Sequence, residues 1–161
     1  MNLEEALNKI LKKRVQDIMK SEIVACKPDA PAIDAARKMA ESGSSYCLVI
    51  EGDEVLGIVT ERDIVNRIVS MNRDPYKTKV RDIMTTPLIA INEESNIEDA
   101  ALIMSKNKIR KLAIVNKNGK LTGMITISDL ARELASMLKL ENMLINALAI
   151  DKEKAPTGIY G

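Results

Sequence analysis

Residues 57–63 read Gly-Ile-Val-Thr-Glu-Arg-Asp, and residues 123–129 read Gly-Met-Ile-Thr-Ile-Ser-Asp. A second match lies towards the N-terminus, where Val-Gln-Asp-Ile-Met at 15–19 returns as Val-Arg-Asp-Ile-Met at 80–84. The offset is 66 residues for the first pair and 65 for the second, and the extra residue falls near the turn sequence at 116–119, where an insertion costs little. This duplication predicts two similar units packed by pseudo-twofold symmetry, with matching clefts between them. It favours a binding module over a single catalytic pocket.

The composition limits the classes of function. Of the 161 residues, 46% are hydrophobic but only 2% are aromatic, so the core is expected to consist of aliphatic side chains. A unit of about 60 residues is marginal alone, and we therefore expect the two units to share a core. The net charge of +1 argues against nucleic-acid binding, which favours a basic face and aromatic stacking platforms. With no histidine, no metal site is expected.

Apolar periodicity and turn residues divide the chain into segments. Each unit reads as strand, helix, strand, strand, helix, which predicts an α/β (α+β) fold of two βαββα repeats with flanking N- and C-terminal helices. The predicted organisation is an N-terminal helix at 1–13, a first repeat at 14–70, a linker at 71–79, a second repeat at 80–135, and a C-terminal helix extension and tail at 136–161.

Local signals set the predicted limits of the elements. A helix is expected at 32–42, with Pro31 as its first residue and Gly43 as its C-terminal cap. A capping box from Ser95 to Glu98 is expected to open the corresponding helix of the second repeat. The closing helices are expected to start near Asp63 and Asp129, and strands are expected at 23–26, 47–50, 55–59, 88–91, 112–115 and 120–125.

The sequence also bears on location. The N-terminus is charged and lacks an apolar signal core, and no segment is apolar for the length needed to span a bilayer. Cys26 and Cys47 lie in apolar, strand-like runs, which favours two buried thiols in a reducing compartment over a disulfide. We therefore expect a cytoplasmic protein without membrane association.

Both repeats end in the motif Gly-x-x-Thr-x-x-Asp, at a junction between a strand and a helix. A helix N-terminus offers unpaired amide N–H groups and a positive dipole end to a phosphate. The Thr hydroxyl adds a donor, and a carboxylate accepts hydrogen bonds from the hydroxyls of a ribose. The alternative is purely structural, because Thr at the N-cap and an acidic residue three positions later form a capping box. Both interpretations stay open, since a duplication copies helix caps as well as binding sites.

Taken together, these features resemble the CBS domain family, in particular a tandem pair of CBS domains (a Bateman module). The resemblance covers about residues 15–134 and rests on the Asp-Ile-Met openings, the Ala-Ala-x-x-Met helices, the Leu-Val-Ile and Leu-Ala-Ile-Val strands, and the two closing motifs. It implies a stand-alone regulatory protein that binds adenosine-containing ligands in two related clefts. In many members each cleft joins the opening strand of one repeat to the closing motif of the other.

Carried over by position, the resemblance implies two sets of ligand-binding residues. The first, which we call the Asp129 cleft, comprises Lys20, Val24, Ala25, Ser44, Ser45, Thr126, Ser128 and Asp129. The second, the Asp63 cleft, comprises Thr85, Ile89, Ala90, Ile109, Arg110, Thr60, Arg62 and Asp63. Adenine would lie between apolar side chains and strand backbone, the aspartate would hold the ribose, and the threonine would face the phosphate.

The two clefts differ in charge. The Asp63 cleft has Arg62 and Arg110, with Lys108 and Lys111 nearby, whereas serines occupy two of the matching positions in the Asp129 cleft. Charge-assisted hydrogen bonds to phosphate are stronger than neutral ones, so we hypothesise that the Asp63 cleft prefers the phosphorylated ligand. The alternative is that these cations form a solvated face.

The sequence favours a regulatory module that senses adenine nucleotides, for example in energy sensing, and signals to a separate effector protein. AMP is the favoured ligand, with ADP and ATP as alternatives, and no cofactor is obligatory. An enzyme is the poorest hypothesis, because there is no catalytic constellation and no phosphate loop of the P-loop type. The runner-up is a structural dimerisation module, or a binder of another adenosyl ligand such as S-adenosylmethionine. The N-terminal helix and the apolar stripe from Leu134 onward suit a homodimer that forms a four-repeat disc.

Overall fold

The structure is a computed structural model, and it describes residues 1–139. Most of the expected C-terminal extension, with its apolar stripe, therefore lies outside the described residues. The helices are α1 (Leu3–Lys12), α2 (Ala32–Ser42), α3 (Glu61–Ile64), α4 (Ile97–Asn107) and α5 (Ile127–Leu138). The strands are β1 (Ala25–Cys26), β2 (Tyr46–Glu51), β3 (Glu54–Thr60), β4 (Ala90–Asn92), β5 (Lys111–Val115) and β6 (Leu121–Thr126). The order βαββα occurs twice, as expected.

Each repeat forms one three-stranded sheet, with the strand orders β1-β2-β3 and β4-β5-β6. The first strand of each sheet is parallel to the second, and the second is antiparallel to the third. The helix between the first two strands supplies the crossover that a parallel pair needs. The hairpin register shifts after Val49 in one sheet and after Ile114 in the other, so the duplication extends to the irregularities.

The segment that opens each repeat pairs with the sheet of the other repeat. Lys20 forms an antiparallel bridge to β6, and Thr85 forms the equivalent bridge to β3. Glycine is needed beside each bridge, because a Cβ atom on Gly57 would lie 2.6 Å from the carbonyl oxygen of Thr85, and one on Gly123 would lie 2.7 Å from that of Lys20. The glycines of the repeated motif therefore allow the opening segment of each repeat to lie against the sheet of the other repeat. We call this arrangement the exchange of the opening segments.

This exchange determines the composition of the hydrophobic cores. Val80 and Ile83 belong to the second repeat but are fully buried in the core of the first sheet, and Val15 is fully buried in the core of the second. A third cluster combines residues of both sheets, namely Tyr46, Leu48, Ile58, Ala113 and Met124. Each core thus contains residues from both repeats, as a shared core requires.

The start of α4 differs from the expected capping box. Asn96, rather than Ser95, is the N-cap, and its side chain accepts a hydrogen bond from the backbone N–H of Asp99 at 2.9 Å. The carbonyl oxygen of Ser95 instead accepts a hydrogen bond from the backbone N–H of Val15 at 2.8 Å. The exchanged opening segment therefore holds Ser95 outside the helix.

Other limits shift by one or two residues. Pro31 is the N-cap of α2 rather than its first residue, and β4 begins at Ala90 rather than at residue 88. The closing helix of the first repeat begins at Glu61 and continues beyond α3 as a π-helical turn, Val65–Val69. α1 packs on α4 and α5, where it buries Ala6 and Ile10. Among residues 1–139, no helix combines the length and the apolar character needed to cross a membrane.

Cys26 and Cys47 are buried free thiols on neighbouring strands. Sγ of Cys47 donates a hydrogen bond to Sγ of Cys26 over 3.3 Å. This bond lowers the pKa of the Cys26 thiol and, together with burial, raises the pKa of Cys47. The pair is part of the core of the first repeat.

Candidate functional site

Two cavities of about 480 and 500 Å³ open where the repeats meet. Each combines the opening segment of one repeat with the closing motif of the other, and Ser45 lines both. Their volumes fall in the range of small-molecule pockets. Within residues 1–139, no group of three or more His, Cys, Asp or Glu side chains could hold a metal ion.

The Asp129 cleft contains all but one of the residues that the resemblance implies for it. Its lining consists of Lys20, Glu22, Val24, Ser42, Gly43, Ser44, Ser45, Tyr46, Thr126, Ser128, Asp129 and Arg132. The exception is Ala25, which lines a shallower pocket next to Lys38.

The Asp63 cleft contains all but two of its implied residues. Its lining consists of Ser45, Ile58, Thr60, Glu61, Arg62, Thr85, Pro87, Leu88, Ile89, Lys108, Ile109, Arg110 and Lys111. Ala90, the first residue of β4, does not line the cavity, although the preceding Ile89 does. Asp63 is not among the lining residues but adjoins one of them: its side chain is 11% exposed, and its Oδ1 accepts a hydrogen bond from Oγ1 of Thr85 over 3.2 Å.

Both closing motifs form capping boxes. The backbone N–H of Thr60 donates to Oδ2 of Asp63 over 2.8 Å, and the N–H of Asp63 donates to Oγ1 of Thr60 over 3.3 Å. Thr126 and Asp129 make the same two bonds at 2.9 and 3.1 Å. The structural interpretation of the motif is therefore confirmed. It uses only Oδ2 of each aspartate, and Oδ1 has other partners, which are Thr85 and Arg67 at Asp63 and Arg132 and Lys20 at Asp129. The capping box therefore does not exclude a ligand contact.

Most amide groups at the closing helices already have partners. The N–H of Glu61 donates to the carbonyl oxygen of Ser45 over 3.2 Å, and that of Ile127 donates to Arg110 over 3.0 Å. The third N–H of each helix is used in the capping box. Only the second N–H of each lacks a hydrogen-bond partner among residues 1–139. Binding of a phosphate in these clefts would therefore depend mainly on side-chain cations.

The Asp63 cleft has an excess of positive charge. Its lining includes Arg62, Lys108, Arg110 and Lys111, and a single carboxylate, that of Glu61. In the part of the chain that the structure describes, none of these four cations takes part in an ion pair. Four cations without carboxylate partners at one cavity are suited to an anionic ligand.

The Asp129 cleft is electrically balanced. Its two cations, Lys20 and Arg132, face two carboxylates, Glu22 and Asp129. Nζ of Lys20 lies 3.5 Å, and Nη1 of Arg132 3.1 Å, from Oδ1 of Asp129, whose side chain is only 4% exposed. The charges in this cleft therefore largely neutralise one another.

Burial and a neighbouring positive charge both act on the pKa of Lys111. Burial and then the charge of Arg110 lower the pKa of the Lys111 ammonium, while Glu61 and Asp63 oppose the shift. The matching position in the other cleft is Tyr46, where burial raises the pKa of the phenol. Since the charge of Arg110 disfavours the charged form of Lys111, an anion in the Asp63 cleft would offset this repulsion.

Several lining residues were not expected from the sequence. Arg132 could have been found from its spacing, because a side chain three residues after Asp129 on a helix lies on the same face. Tyr46 could have been found from the repeat, since it aligns with Lys111. Glu22 and Pro87 give no comparable signal, because they lie in irregular segments between elements.

The chain matches the family model described as the CBS domain twice, over residues 15–70 and 80–136. Among curated proteins it is 38% identical over 117 residues to protein MK0525 of Methanopyrus kandleri, a match that spans 72% of this chain and 60% of that protein. It is 32% identical to the CBS domain-containing protein YhcV of Bacillus subtilis, over 73% of this chain and 82% of YhcV.

Solved structures share the fold. The CBS domain protein PAE2072 from Pyrobaculum aerophilum, solved in complex with AMP, superposes with a TM-score of 0.69 at 27% identity, over 81% of this chain and 99% of that protein. A hexameric CBS-CP12 protein from bloom-forming cyanobacteria gives a TM-score of 0.70 at 27% identity, over 92% of this chain and 88% of that one.

Proposed function

Because the chain belongs to the CBS domain family and carries the domain twice, we propose that it is a regulatory module that binds adenine nucleotides between its repeats. AMP is the favoured ligand, with ADP and ATP as alternatives. The ligand acts as a signal rather than as an obligatory cofactor. The module has no catalytic activity and works in the cytosol, where Cys26 and Cys47 stay reduced.

The observation that carries this proposal is the set of cations in the Asp63 cleft without carboxylate partners among residues 1–139. Arg62, Arg110 and Lys111 line the same cavity as Thr60 and Thr85, and the Thr85 hydroxyl contacts the carboxylate of Asp63. A nucleotide would place its phosphate among the cations, its ribose at Asp63 and its base against the apolar wall. The AMP complex of PAE2072, which has the same fold, supports this choice of ligand.

Calorimetry with AMP and with adenosine tests the proposal. Arg110→Met should weaken AMP binding about tenfold or more, since a charge-assisted bond to phosphate is lost, and should leave adenosine binding nearly unchanged. Asp63→Ala should weaken both ligands. Asp129→Ala is the matched control, because it removes an equivalent capping box from the other cleft. An AMP affinity that is the same in Asp63→Ala and in the unmodified chain would contradict the proposal.

The second candidate function is an interaction module, and exposed apolar side chains favour it. Val65 and Val69 are 56% and 69% exposed on the closing helix of the first repeat, and Leu102 is 62% exposed on α4. We propose that these faces, with the helix at 1–13 and the segment at 136–161 flanking the two repeats, serve a homodimer with four repeats in a disc. The effector protein would bind to this dimer.

A thermal-shift series separates the two candidates. A ligand that binds only the folded state must raise its melting temperature. We expect a shift with AMP, and the panel should include ADP, ATP, adenosine and S-adenosylmethionine. No shift with any of them would favour the interaction module, and a shift with S-adenosylmethionine alone would favour another adenosyl ligand.

A further inference from the structure

The aspartates of the two clefts have different hydrogen-bond and ion-pair partners, and comparison of the two repeats shows which position causes the difference. Lys20 and Thr85 occupy equivalent positions, since each forms the bridge between its opening segment and the other sheet. Each side chain also reaches the aspartate of its cleft: Nζ of Lys20 lies 3.5 Å from Oδ1 of Asp129, and Oγ1 of Thr85 lies 3.2 Å from Oδ1 of Asp63. One position therefore supplies a cation in one cleft and a neutral hydroxyl in the other.

In the Asp63 cleft, Oδ1 of the Asp63 carboxylate has only weakly bound partners, which a ligand could replace. Oδ2 is used in the capping box, while Oδ1 accepts from the Thr85 hydroxyl. The nearest cation is Arg67, whose Nε stays 3.7 Å from Oδ1 because Nη1 donates to the carbonyl oxygens of Ile83 and Met84 over 3.0 and 2.8 Å. A ribose hydroxyl can replace the neutral threonine bond. Among residues 1–139, the only charged contact that it meets at this oxygen is the long ion pair with Arg67, which makes no hydrogen bond to the carboxylate.

In the Asp129 cleft, the same oxygen is already occupied by two cations. Nη1 of Arg132 donates to Oδ1 of Asp129 over 3.1 Å, and Lys20 approaches the same atom. The position that corresponds to Arg132 in the first repeat is Asn66, so the second cation is also specific to this cleft. A ribose would have to displace charge-assisted bonds from a buried carboxylate, and these are stronger than the neutral bonds that it offers.

We propose that the residue at position 20 or 85 decides whether a cleft accepts a ribose, and that the chain binds one adenine nucleotide, in the Asp63 cleft. This inference rests on the proposed function. It makes Lys20 and Thr85 specificity-determining residues, with Arg132 reinforcing the effect of Lys20. The Asp129 cleft is closed to ribonucleotides by its own ion pairs, although its volume is similar.

Exchanging the two residues tests the proposal by calorimetry on the full chain. Adenosine is the main probe, because it reports the ribose contact without a phosphate. The unmodified chain should bind one adenosine. Thr85→Lys should weaken adenosine about ten- to a hundredfold, as expected when a hydrogen bond to a charged group is lost. Thr85→Met is the control for side-chain size, and it should weaken adenosine clearly less than Thr85→Lys.

The converse variant should open the second cleft. Lys20→Thr combined with Arg132→Asn should raise the stoichiometry from one to two adenosines per chain. The side chains of Lys20, Thr85 and Arg132 are exposed, so the variants should fold, and circular dichroism with a melting curve checks this.

The outcomes separate this inference from the proposed function. Two equivalent sites in the unmodified chain, or equal adenosine affinities for Thr85→Lys and Thr85→Met, would overturn the inference and leave nucleotide binding intact. A stoichiometry that stays at one in the double variant would also overturn it. No binding of adenosine or AMP to the unmodified chain would overturn both.

Discussion

At Gly57 and Gly123, the backbone of one repeat passes so close to the other that a methyl group does not fit. A Cβ atom on either residue would meet a backbone carbonyl oxygen at 2.6 or 2.7 Å, and backbone atoms cannot move aside as side chains can. The Thr and Asp of the closing motif make the capping box, whereas its glycine makes the contact between repeats.

We predict that Gly57→Ala and Gly123→Ala each lower the free energy of unfolding by about 1–3 kcal/mol, because each overpacks the contact between the repeats. Urea denaturation measures the change. Gly52→Ala is the control, since its φ of +60° is strained but its Cβ would meet nothing within 4 Å. Gly57 and Gly123 have no positive φ, so backbone strain cannot explain a loss at either position, and unchanged stability in Gly57→Ala or Gly123→Ala would contradict the overpacked contact.

The lowered pKa of Lys111 leads to a prediction of how the stability of the folded state depends on pH. Its pKa is lowered, so the folded state binds fewer protons than the unfolded state between that pKa and the ordinary value of 10.5. Stability rises with pH wherever the unfolded state binds more protons, so the unfavourable contribution of charged Lys111 should fade as pH rises through this window.

The measurement compares the urea midpoints of Lys111→Met and the unmodified chain from pH 7 to pH 10.5. We expect the advantage of the methionine variant to be largest at the low end and to shrink towards the high end. Groups common to both proteins, such as Tyr46, cancel in this difference. A constant difference across the range would contradict the lowered pKa.

At the scale of the elements, α4 provides the clearest test. Asn96→Ala should lower the free energy of unfolding by about 1 kcal/mol, because the helix loses its N-cap. Ser95→Ala should have little effect, since the contact of Ser95 with the opening segment is made by its backbone. Chemical denaturation of the two variants measures both changes. A larger effect at Ser95 would support the capping box expected from the sequence.

The sequence predicted elements well where repetition and turn chemistry agree, as for α2 with its Gly43 cap and for the two hairpins. The prediction from sequence failed where a contact with a segment distant along the chain determines where an element begins. Ser95 and Asn96 are both good caps, and only the contact of Ser95 with Val15 excludes the first. The family resemblance, rather than any local pattern, implied that opening segments and closing motifs come from different repeats.

For the candidate site, the positions carried over from the family resemblance coincide with about half of the residues that line the cavities, but they do not indicate the ionic partners of those residues. The spacing of Arg132 indicates that it can reach Asp129, but no spacing indicates that Lys20, more than a hundred residues away along the chain, pairs with the same carboxylate. Likewise, the pattern does not indicate that Arg67 is held by the carbonyl groups of Ile83 and Met84. Such pairings depend on tertiary geometry, which spacing alone does not encode.

At the scale of the whole molecule, the exposed valines of the first repeat predict an oligomer. Val65→Asp combined with Val69→Asp should convert the proposed homodimer into a monomer, because charges are costly to bury in an apolar interface. Light scattering after size-exclusion chromatography measures the mass.

Asn118→Asp is the control for this prediction, since it adds charge in an exposed turn of the second hairpin. It should leave the mass at twice that of the chain. A monomeric unmodified protein, or a dimer that survives both aspartates, would exclude this face as the contact.

The exchange of opening segments also bears on how the chain folds as it leaves the ribosome. Synthesis proceeds from the N-terminus, and domains generally fold as units in that order. Here the first sheet cannot complete its core until Val80 and Ile83 have been made. Val15 must wait longer, because its core includes Ile125, so an apolar segment stays uncovered during most of translation. The repeats were duplicated as units, but they cannot be completed one at a time during synthesis.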